Sequence, residues 1–477
     1  MSTPSDIQAL FGAQRAHRWT AAQTTPAHRQ VLLRRLHDAV KTHRVALADA
    51  LYRDLGKSRA ESELTEIHPV LEEISHAIRR LPRWMAPRRV PTPAMLAGSS
   101  SERRVQPRGV TLVLSPWNYP VNLALVPVVA ALAAGNTVIL KPSEKAPHVA
   151  RALHDMIDSV FEPKLAAVVQ GDADAAQALT ALPFDHILFT GSGAVGRRVM
   201  HAAAEHLTSV TLELGGKSPA IIDASANLHK AAERIAWGKY LNAGQTCVAP
   251  DYVLVHEDQR DAFVQTVRDI VARRFGSGTW LRAGPDYGRM VDAQSVTRLE
   301  RLTAQSVTQG AQIALGGDFD AEARFISPTV VTGVTGDMPL MQEELFGPVL
   351  PVLTYRDLDA ALDFVRRHDP PLALYVFAQD AGVIERVKQH TTSGGMVVNG
   401  TVIHLTNPNL PFGGVGPSGM GAYHGEHGFR TFSHERAIMH EGTHSSVRFT
   451  YPPYGRPVMR VISWALRQLE RQRGPRD

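Results

Sequence analysis

The chain has 477 residues, 44% of them hydrophobic and 20% charged, with a formal net charge of +5 and one cysteine, Cys247. This length predicts about two or three domains and a core that needs neither disulfide nor metal. The lone cysteine excludes an intramolecular disulfide or a thiolate metal cluster, and the mild, scattered positive charge argues against a nucleic-acid partner.

Apolar residues at helical spacing predict helices over 27–51 and 61–81. Prolines at 82, 87, 91 and 93 are expected to end the second helix and lead into a turn or exposed hairpin at 98–101. From Gly109 onward short apolar runs alternate with amphipathic stretches. Strands are predicted at 109–115, 137–141, 166–170, 186–190 and 209–213, with helices at 121–134 and 146–160. Such alternation means a mostly parallel sheet covered on both faces. A second alternating region starts near Pro219, with strands at 220–223, 252–256, 372–377 and 395–399. Two α/β domains follow, divided near 213–216. The run 121–134 is too short to span a bilayer comfortably, and the N-terminus lacks the basic-then-apolar order of a secretory signal. With the single cysteine, this makes a cytoplasmic location the expectation. The tail places Val458, Val461, Ile462, Ala465 and Leu469 on one helical face, decorated by Arg460, Arg467 and Arg471. A helix docked on its own or a partner subunit is expected there ahead of a membrane-surface helix.

Three segments carry chemistry. Gly191-Ser192-Gly193-Ala194-Val195-Gly196 follows a predicted strand and opens a predicted helix, the context in which backbone N–H groups hold a phosphate. Glu213 stands at a strand end before Gly215 and Gly216, where open α/β sheets face their ligand crevice. Its distance from the glycine turn also suits a ribose-binding carboxylate. Gly244-Gln245-Thr246-Cys247 places a thiol after a glycine that allows close approach to a ligand. A buried small hydrophobe is the alternative for Cys247, and a turn carboxylate the alternative for Glu213.

Glu213 with Gly215 and Gly216, then Gly244-Gln245-Thr246-Cys247, resembles the paired active-site signatures of the aldehyde dehydrogenase superfamily. Pro116-Trp117-Asn118-Tyr119-Pro120, Lys141-Pro142-Ser143-Glu144 and Glu343-Glu344-Leu345-Phe346-Gly347-Pro348 resemble further segments of it in the same order. Within the superfamily, 247–252 and 411–425 resemble the class 3 branch of fatty and aromatic aldehyde dehydrogenases. The resemblance implies an α/β fold with two doubly wound domains and a small β bridging element. It divides the chain into a cofactor-binding domain over 1–212 with a bridging hairpin about 86–107, a catalytic domain over 213–398, and a bridging strand and tail over 399–477. It further implies Cys247 as nucleophile, Glu213 as the base that activates water, and Asn118 as oxyanion donor. Trp117, Gly191, Ser192, Val195 and Gly196 would line the adenosine and pyrophosphate path, with Leu214 and Gly215 beside it. Lys141 and Glu144 would hold the adenosine ribose, Glu344 the nicotinamide ribose, and Phe346 would pack near the ring. The ribose role for Glu213 is set aside, because a base for deacylation has to face the thioester.

NAD is the expected cofactor, because Glu144 repels a 2′-phosphate, with NADP as a second cofactor because Lys141 offsets that charge. The resemblance also implies a homodimer, paired through the hairpin at 92–106 and the segment after Asn399. It favours medium- or long-chain aliphatic or aromatic aldehydes without naming one. The competing readings are a coenzyme A-acylating dehydrogenase, a thiol esterase, and a non-catalytic protein on this fold. The acylating route has no need of Glu213, the esterase none of the cofactor segments, and the non-catalytic protein none of Cys247, Glu213 and Asn118 together. His404 is expected as a surface or core residue and His424 as structural. The 21 histidines show no metal-binding spacing.

Overall fold

Helices fill most of the first 85 residues of the structure, a computed structural model that describes residues 3–276, 278, 281–282 and 284–472. The first, Pro4–Ala22, opens on a capping box: the Thr3 hydroxyl accepts from the Asp6 N–H, and the Asp6 carboxylate accepts from the Thr3 N–H. The helix expected over 27–51 is two, Pro26–Thr42 and Arg44–Leu55. They part at His43, whose ψ of 6° leaves the helical range and whose ring Nδ1 lies against the Ala39 carbonyl at 2.9 Å. The expected end at Pro82 is also corrected, because the helix His68–Met85 runs through it. Pro82 has no N–H for the Ile78 carbonyl four residues back. Gln30 Nε2 donates to that carbonyl instead, at 2.7 Å, so the helix survives its proline.

The chain forms two compact units. The smaller comprises Arg83–Gln106 and the residues from His434 onward. In it, strands β1 (Arg88–Val90) and β2 (Ser99–Pro107) pair antiparallel.

The larger unit holds two sheets. The first contains β3 (Val110–Leu114), β4 (Thr137–Lys141), β5 (Ala166–Val168), β6 (His186–Thr190) and β7 (Ser209–Glu213), all parallel. The second contains β8 (Pro219–Ile222), β9 (Tyr252–His256) and β10 (Gln312–Leu315). A separate short hairpin, β11 (Phe319–Asp320) with β12 (Phe325–Ile326), precedes its remaining strands. These are β13 (Thr329–Thr332), β14 (Val349–Tyr355), β15 (Ala373–Phe377) and β16 (Gly395–Val398), in the order β10-β13-β14-β9-β8-β15-β16. Strand β17 (Gly419–Met420) closes the first sheet antiparallel to β7, giving β17-β7-β6-β3-β4-β5. The last strand, β18 (Ser433–Glu441), completes the three-stranded sheet of the smaller unit.

Every residue of β3, β4 and β6 is buried, as expected of strands covered on both faces. Leu112, Ile139, Ile187 and Phe189 pack in one cluster with Ile7 and Phe11 of the first helix. From β3 the chain winds outward to β4 and β5, then returns to lay β6 and β7 on the other side. The order therefore reverses between β3 and β6, and ligands bind in the crevice at the carboxyl ends of strands around such a point. Those ends carry Trp117-Asn118 and Gly191–Gly196.

In the smaller unit the tail forms the helix Arg456–Gln472. Val461 and Ile462 are exposed in the single chain. The side chains of Ala465, Leu469 and Arg471 lie outside the described residues.

Candidate active site

The glycine turn is built as its sequence suggested. Gly191 follows β6 and donates its N–H to the Glu213 carbonyl at 3.0 Å, tying the turn to β7. Ser192 is extended and precedes the helix Gly193–Ala204, and its hydroxyl caps nothing there. A Cβ at Gly193 would meet only Arg197, at 3.9 Å, so the approach to the helix start is open. A Cβ at Gly196 would stand 2.9 Å from Leu214 Cδ2, so this glycine serves close helix–strand packing. Val195 is exposed beside them. Uncapped N–H groups at an open helix start fit a pyrophosphate.

At the end of β4, Lys141 Nζ donates to Glu144 Oε2 at 2.8 Å. Burial raises the Glu144 carboxyl, but the Lys141 hydrogen bond, its own backbone N–H and the charges of Lys141 and Lys145 outweigh it and hold the group below its usual range. Glu144 remains half exposed, so an ionised carboxylate is offered to any polyol in this part of the crevice.

Glu344 lies across Gly215: a Cβ there would fall 2.1 Å from Glu344 Oε2. Burial and the Asp251 charge push the Glu344 carboxyl up to about 8, against the Gly216 N–H and the charges of Lys217 and Lys239. Asp251 accepts from Lys217 Nζ at 2.6 Å and from the Leu345 N–H at 3.1 Å, which pins the Glu344 loop. Phe346 is held at φ +50°, a strained value for a bulky residue, and its ring meets Trp117 edge-on at 5.4 Å.

The thiol loop is unusual backbone. Asn242, Ala243 and Gly244 all have positive φ, at 53°, 51° and 77°. Asn tolerates this conformation, whereas Ala there costs about 1–2 kcal/mol. Buried amides hold the loop in it. Gln245 Nε2 donates to the carbonyls of Asn242 and Arg289, each at 3.0 Å, and Gln245 Oε1 accepts from the Val291 N–H at 2.8 Å. Asn242 Nδ2 donates to the carbonyls of Asn118 and Gln245, at 2.8 and 3.0 Å. Asn118 Nδ2 in turn donates to the Gln245 carbonyl at 3.1 Å, and its second N–H has no partner among the described residues.

Cys247 emerges from this loop partly accessible, on the wall of a cavity of about 540 Å³. Tyr119, Leu123, Trp237, Val248, Phe412 and Tyr423 form apolar and aromatic walls, with Glu61, Arg274 and Asp286 also among the lining residues. Burial pushes the thiol up, the carboxylates of Glu213 and Glu344 push it further, and only the N–H groups of Cys247 and Val248 oppose them. Glu213 is 1% exposed, and neither carboxylate oxygen has a hydrogen-bond partner. Burial alone raises it well above the usual carboxylate range.

The histidines divide. His404 is half-buried and packs against Tyr375 and Phe412. His424 bonds through Nδ1 to the Leu405 carbonyl at 3.0 Å, a structural role, but it also lines the cavity and stacks on Phe412. Sequence reading gave no role to Lys57, Glu61, Glu66, Asn242, Phe412 or Tyr423. Lys57 and Glu61 reach partners 61 and 181 positions away, whereas Phe412 and Tyr423 stand within the 411–425 segment without a local sign of their place in the cavity.

A family model described as "Aldehyde dehydrogenase family" matches residues 1–438. A 4,4'-diaponeurosporen-aldehyde dehydrogenase of Staphylococcus aureus is 43% identical over 426 residues, 89% of this chain and 92% of that protein. A probable coniferyl aldehyde dehydrogenase of Pseudomonas aeruginosa is 42% identical over 459 residues, 96% of each chain. Among solved structures, "Substrate bound state of Staphylococcus Aureus AldH" superposes with a TM-score of 0.92 at 40% identity, covering 97% of this chain and all of that one.

Proposed function

Because the chain belongs to the aldehyde dehydrogenase family, we propose that Cys247 and Glu213 divide its reaction, the thiol forming the covalent bond and the carboxylate releasing the product. The chain is an NAD(P)-dependent enzyme that oxidises an aldehyde to the carboxylic acid. The observation that carries the residue assignment is Glu213, buried with both oxygens unpartnered and near enough to raise the Cys247 thiol. A carboxylate buried for structure alone is paired or hydrogen-bonded. One left bare, its proton affinity raised by burial, is suited to taking a proton.

With burial and two carboxylates holding it neutral, the thiol loses its proton to Glu213 as Sγ attacks the aldehyde carbon. The carbonyl oxygen takes up negative charge, and the second N–H of the Asn118 amide and the backbone N–H of Cys247 donate to it. When bound, the nicotinamide nucleotide supplies the acceptor for the hydride of this adduct. A thioester then remains on Sγ. Glu213, its first proton passed to solvent, takes a proton from water while the water oxygen adds to the thioester carbon. The C–S bond breaks, the acid leaves, and the thiol is restored.

Trp117, Lys141, Glu144, Gly191, Ser192, Val195, Gly196, Leu214 and Gly215 would hold the adenosine and pyrophosphate, and Glu344 and Phe346 the nicotinamide end. The ionised Glu144 supports a preference for NAD over NADP. The aromatic walls of the cavity, with the aldehydes named in the two relatives, favour medium- or long-chain aliphatic or aromatic aldehydes. The domain scheme proposed is a cofactor-binding domain over 1–212, a catalytic domain over 213–398, and a bridging strand and tail beyond, with two copies paired through the β2 hairpin. No helix among the described residues is long and apolar enough to cross a membrane, and the single cysteine supports action in a reducing cytoplasm.

The test is NADH formation followed by absorbance across short to long aliphatic aldehydes, benzaldehyde and cinnamaldehyde. Cys247→Ala is expected to be inactive, and Glu213→Gln to lose steady turnover, giving at most one slowly formed equivalent of NADH before it stalls. Steady turnover by Cys247→Ala would refute the assignment.

A further inference from the structure

The oxyanion segment is held by a buried ion pair that the reaction itself does not use. Lys57 lies between the helix Arg44–Leu55 and the short helix Arg59–Ser62. Its side chain is fully buried. An ammonium group has three N–H bonds, and Lys57 has a use for each. Nζ donates to Glu66 Oε1 at 2.6 Å and to the Asn118 carbonyl at 2.9 Å, and stands 4.0 Å from the centre of the Tyr119 ring. Glu66, also fully buried, uses its other oxygen to accept from the N–H groups of Val121 and Asn122, at 3.1 and 2.9 Å. These N–H groups open the helix Asn122–Ala134, and Glu66 caps them from another part of the chain.

We propose that Lys57 and Glu66 are positioning residues for the oxyanion donor Asn118, clamping its carbonyl on one side and the N–H groups three and four residues later on the other. The inference rests on the reading of Asn118 given above. The second lone pair of the Asn118 carbonyl takes Asn242 Nδ2 at 2.8 Å, so the same peptide is fixed to the thiol loop. Asn118 can then shift neither along its own segment nor away from Gln245 and Cys247. Two features point to geometry over stability. Burying an ion pair gains little over an apolar pair of the same volume, because both charges lose their hydration. Glu66 also sits in a single π-helical turn, Glu63–Ile67, a local widening of the helix of a kind frequent at functional sites.

The experiment compares kcat and KM of wild type, Asn118→Ala, Lys57→Met, and the combination of those two. Lys57→Met strands the Glu66 charge, so Lys57→Met/Glu66→Gln is made as well; it removes both charges and keeps an acceptor for Val121 and Asn122. Thermal melts check that each variant folds. Lys57→Met/Glu66→Gln is expected to lower kcat about tenfold to a hundredfold with KM for NAD within about twofold. Adding Lys57→Met to Asn118→Ala is expected to cost no more than Asn118→Ala alone, because Lys57 acts through that residue. A normal kcat in Lys57→Met/Glu66→Gln, or additive losses in the combined variant, would overturn the inference while leaving the role of Asn118 intact. A normal kcat in Asn118→Ala would overturn both.

Discussion

Gly244 offers a sharp test of how the thiol is aimed. Its φ of +77° lies in the left-handed region, where an L side chain costs about 1–2 kcal/mol. A Cβ built there would also stand 2.3 Å from the Gly347 carbonyl oxygen and 2.8 Å from Pro348 N. Both are backbone atoms, so no rotamer change relieves the clash. Bringing the first contact to an ordinary separation requires a shift of roughly 1.1 Å or more, at an overpacking cost of about 1–3 kcal/mol. Gln245 and Asn242 hold the loop on both sides of Gly244, so the shift falls on the three residues that lead to Cys247. A misplacement near 1 Å at a reacting atom costs about a hundredfold in rate. Gly244→Ala is therefore expected to lower kcat for NADH formation by about that factor and stability by about 2–5 kcal/mol. KM for NAD should stay near wild type, because the glycine turn at 191–196 is untouched. Gly12→Ala serves as the control: nothing lies within 4 Å of its Cβ, and in the helix Pro4–Ala22 it should stabilise by about 0.5–1 kcal/mol. A Gly244→Ala enzyme with wild-type kcat would show that this loop does not set the aim of the thiol.

Glu213→Gln should gain stability as pH rises. The folded carboxyl is raised above its unfolded value near 4.5, so the folded state binds the proton more tightly, and wild type loses stability as pH climbs above 4.5 towards the raised value. Melts of both proteins at pH 5 and pH 8 should show the variant's advantage grow with pH; an equal gap at both would contradict a bare buried carboxylate. Glu144→Gln should narrow the preference for NAD over NADP in kcat/KM by about threefold to tenfold, since a half-exposed charge repels a 2′-phosphate only moderately. An unchanged ratio would take Glu144 away from the ribose. Deleting residues 95–104, which removes the turn and much of β2, should convert a dimer to a monomer in sedimentation, and a dimer that persists would move the interface elsewhere.

The legible part of this protein lay in local patterns. Gly191–Gly196 could be read because a strand runs into it and a helix out of it, whereas the packing of Gly196 against Leu214 carries no mark in the local sequence. Glu213 could be placed at a strand end from the alternation of β7 alone. The helix boundaries that misled did so through remote partners. Pro82 sits inside a helix because Gln30 supplies the donor it lacks, and no rule about neighbours in sequence reports that. The site had the same division. Cys247, Glu213 and Asn118 stand in recognisable words, whereas Lys57 reaches Asn118 across 61 positions and Glu61 reaches the Asn242 N–H across 181. Strands β10 to β13 are four residues long or fewer, too short for a periodic signal. The positive φ of Phe346 leaves no trace in sequence, since a phenylalanine there looks like any core residue.

What the sequence could not express is where the fold accepts a loss. Ala243 and Phe346 hold left-handed backbone, and Glu213 is buried with no partner. Each is unfavourable alone. The favourable contacts that offset them stand one step further out, in Asn242, Gln245, Asp251 and the Lys57–Glu66 pair, where nearly every polar atom is matched. This arrangement explains why the thiol can rest neutral between two carboxylates and still be poised to react. The surrounding network fixes the backbone so firmly that Cys247 and Glu213 cannot relax towards better-solvated positions. A carboxylate that could reach water would keep an ordinary proton affinity and be a weaker base towards the thiol. Rigidity around the site and raised proton affinity within it are therefore one property of the fold.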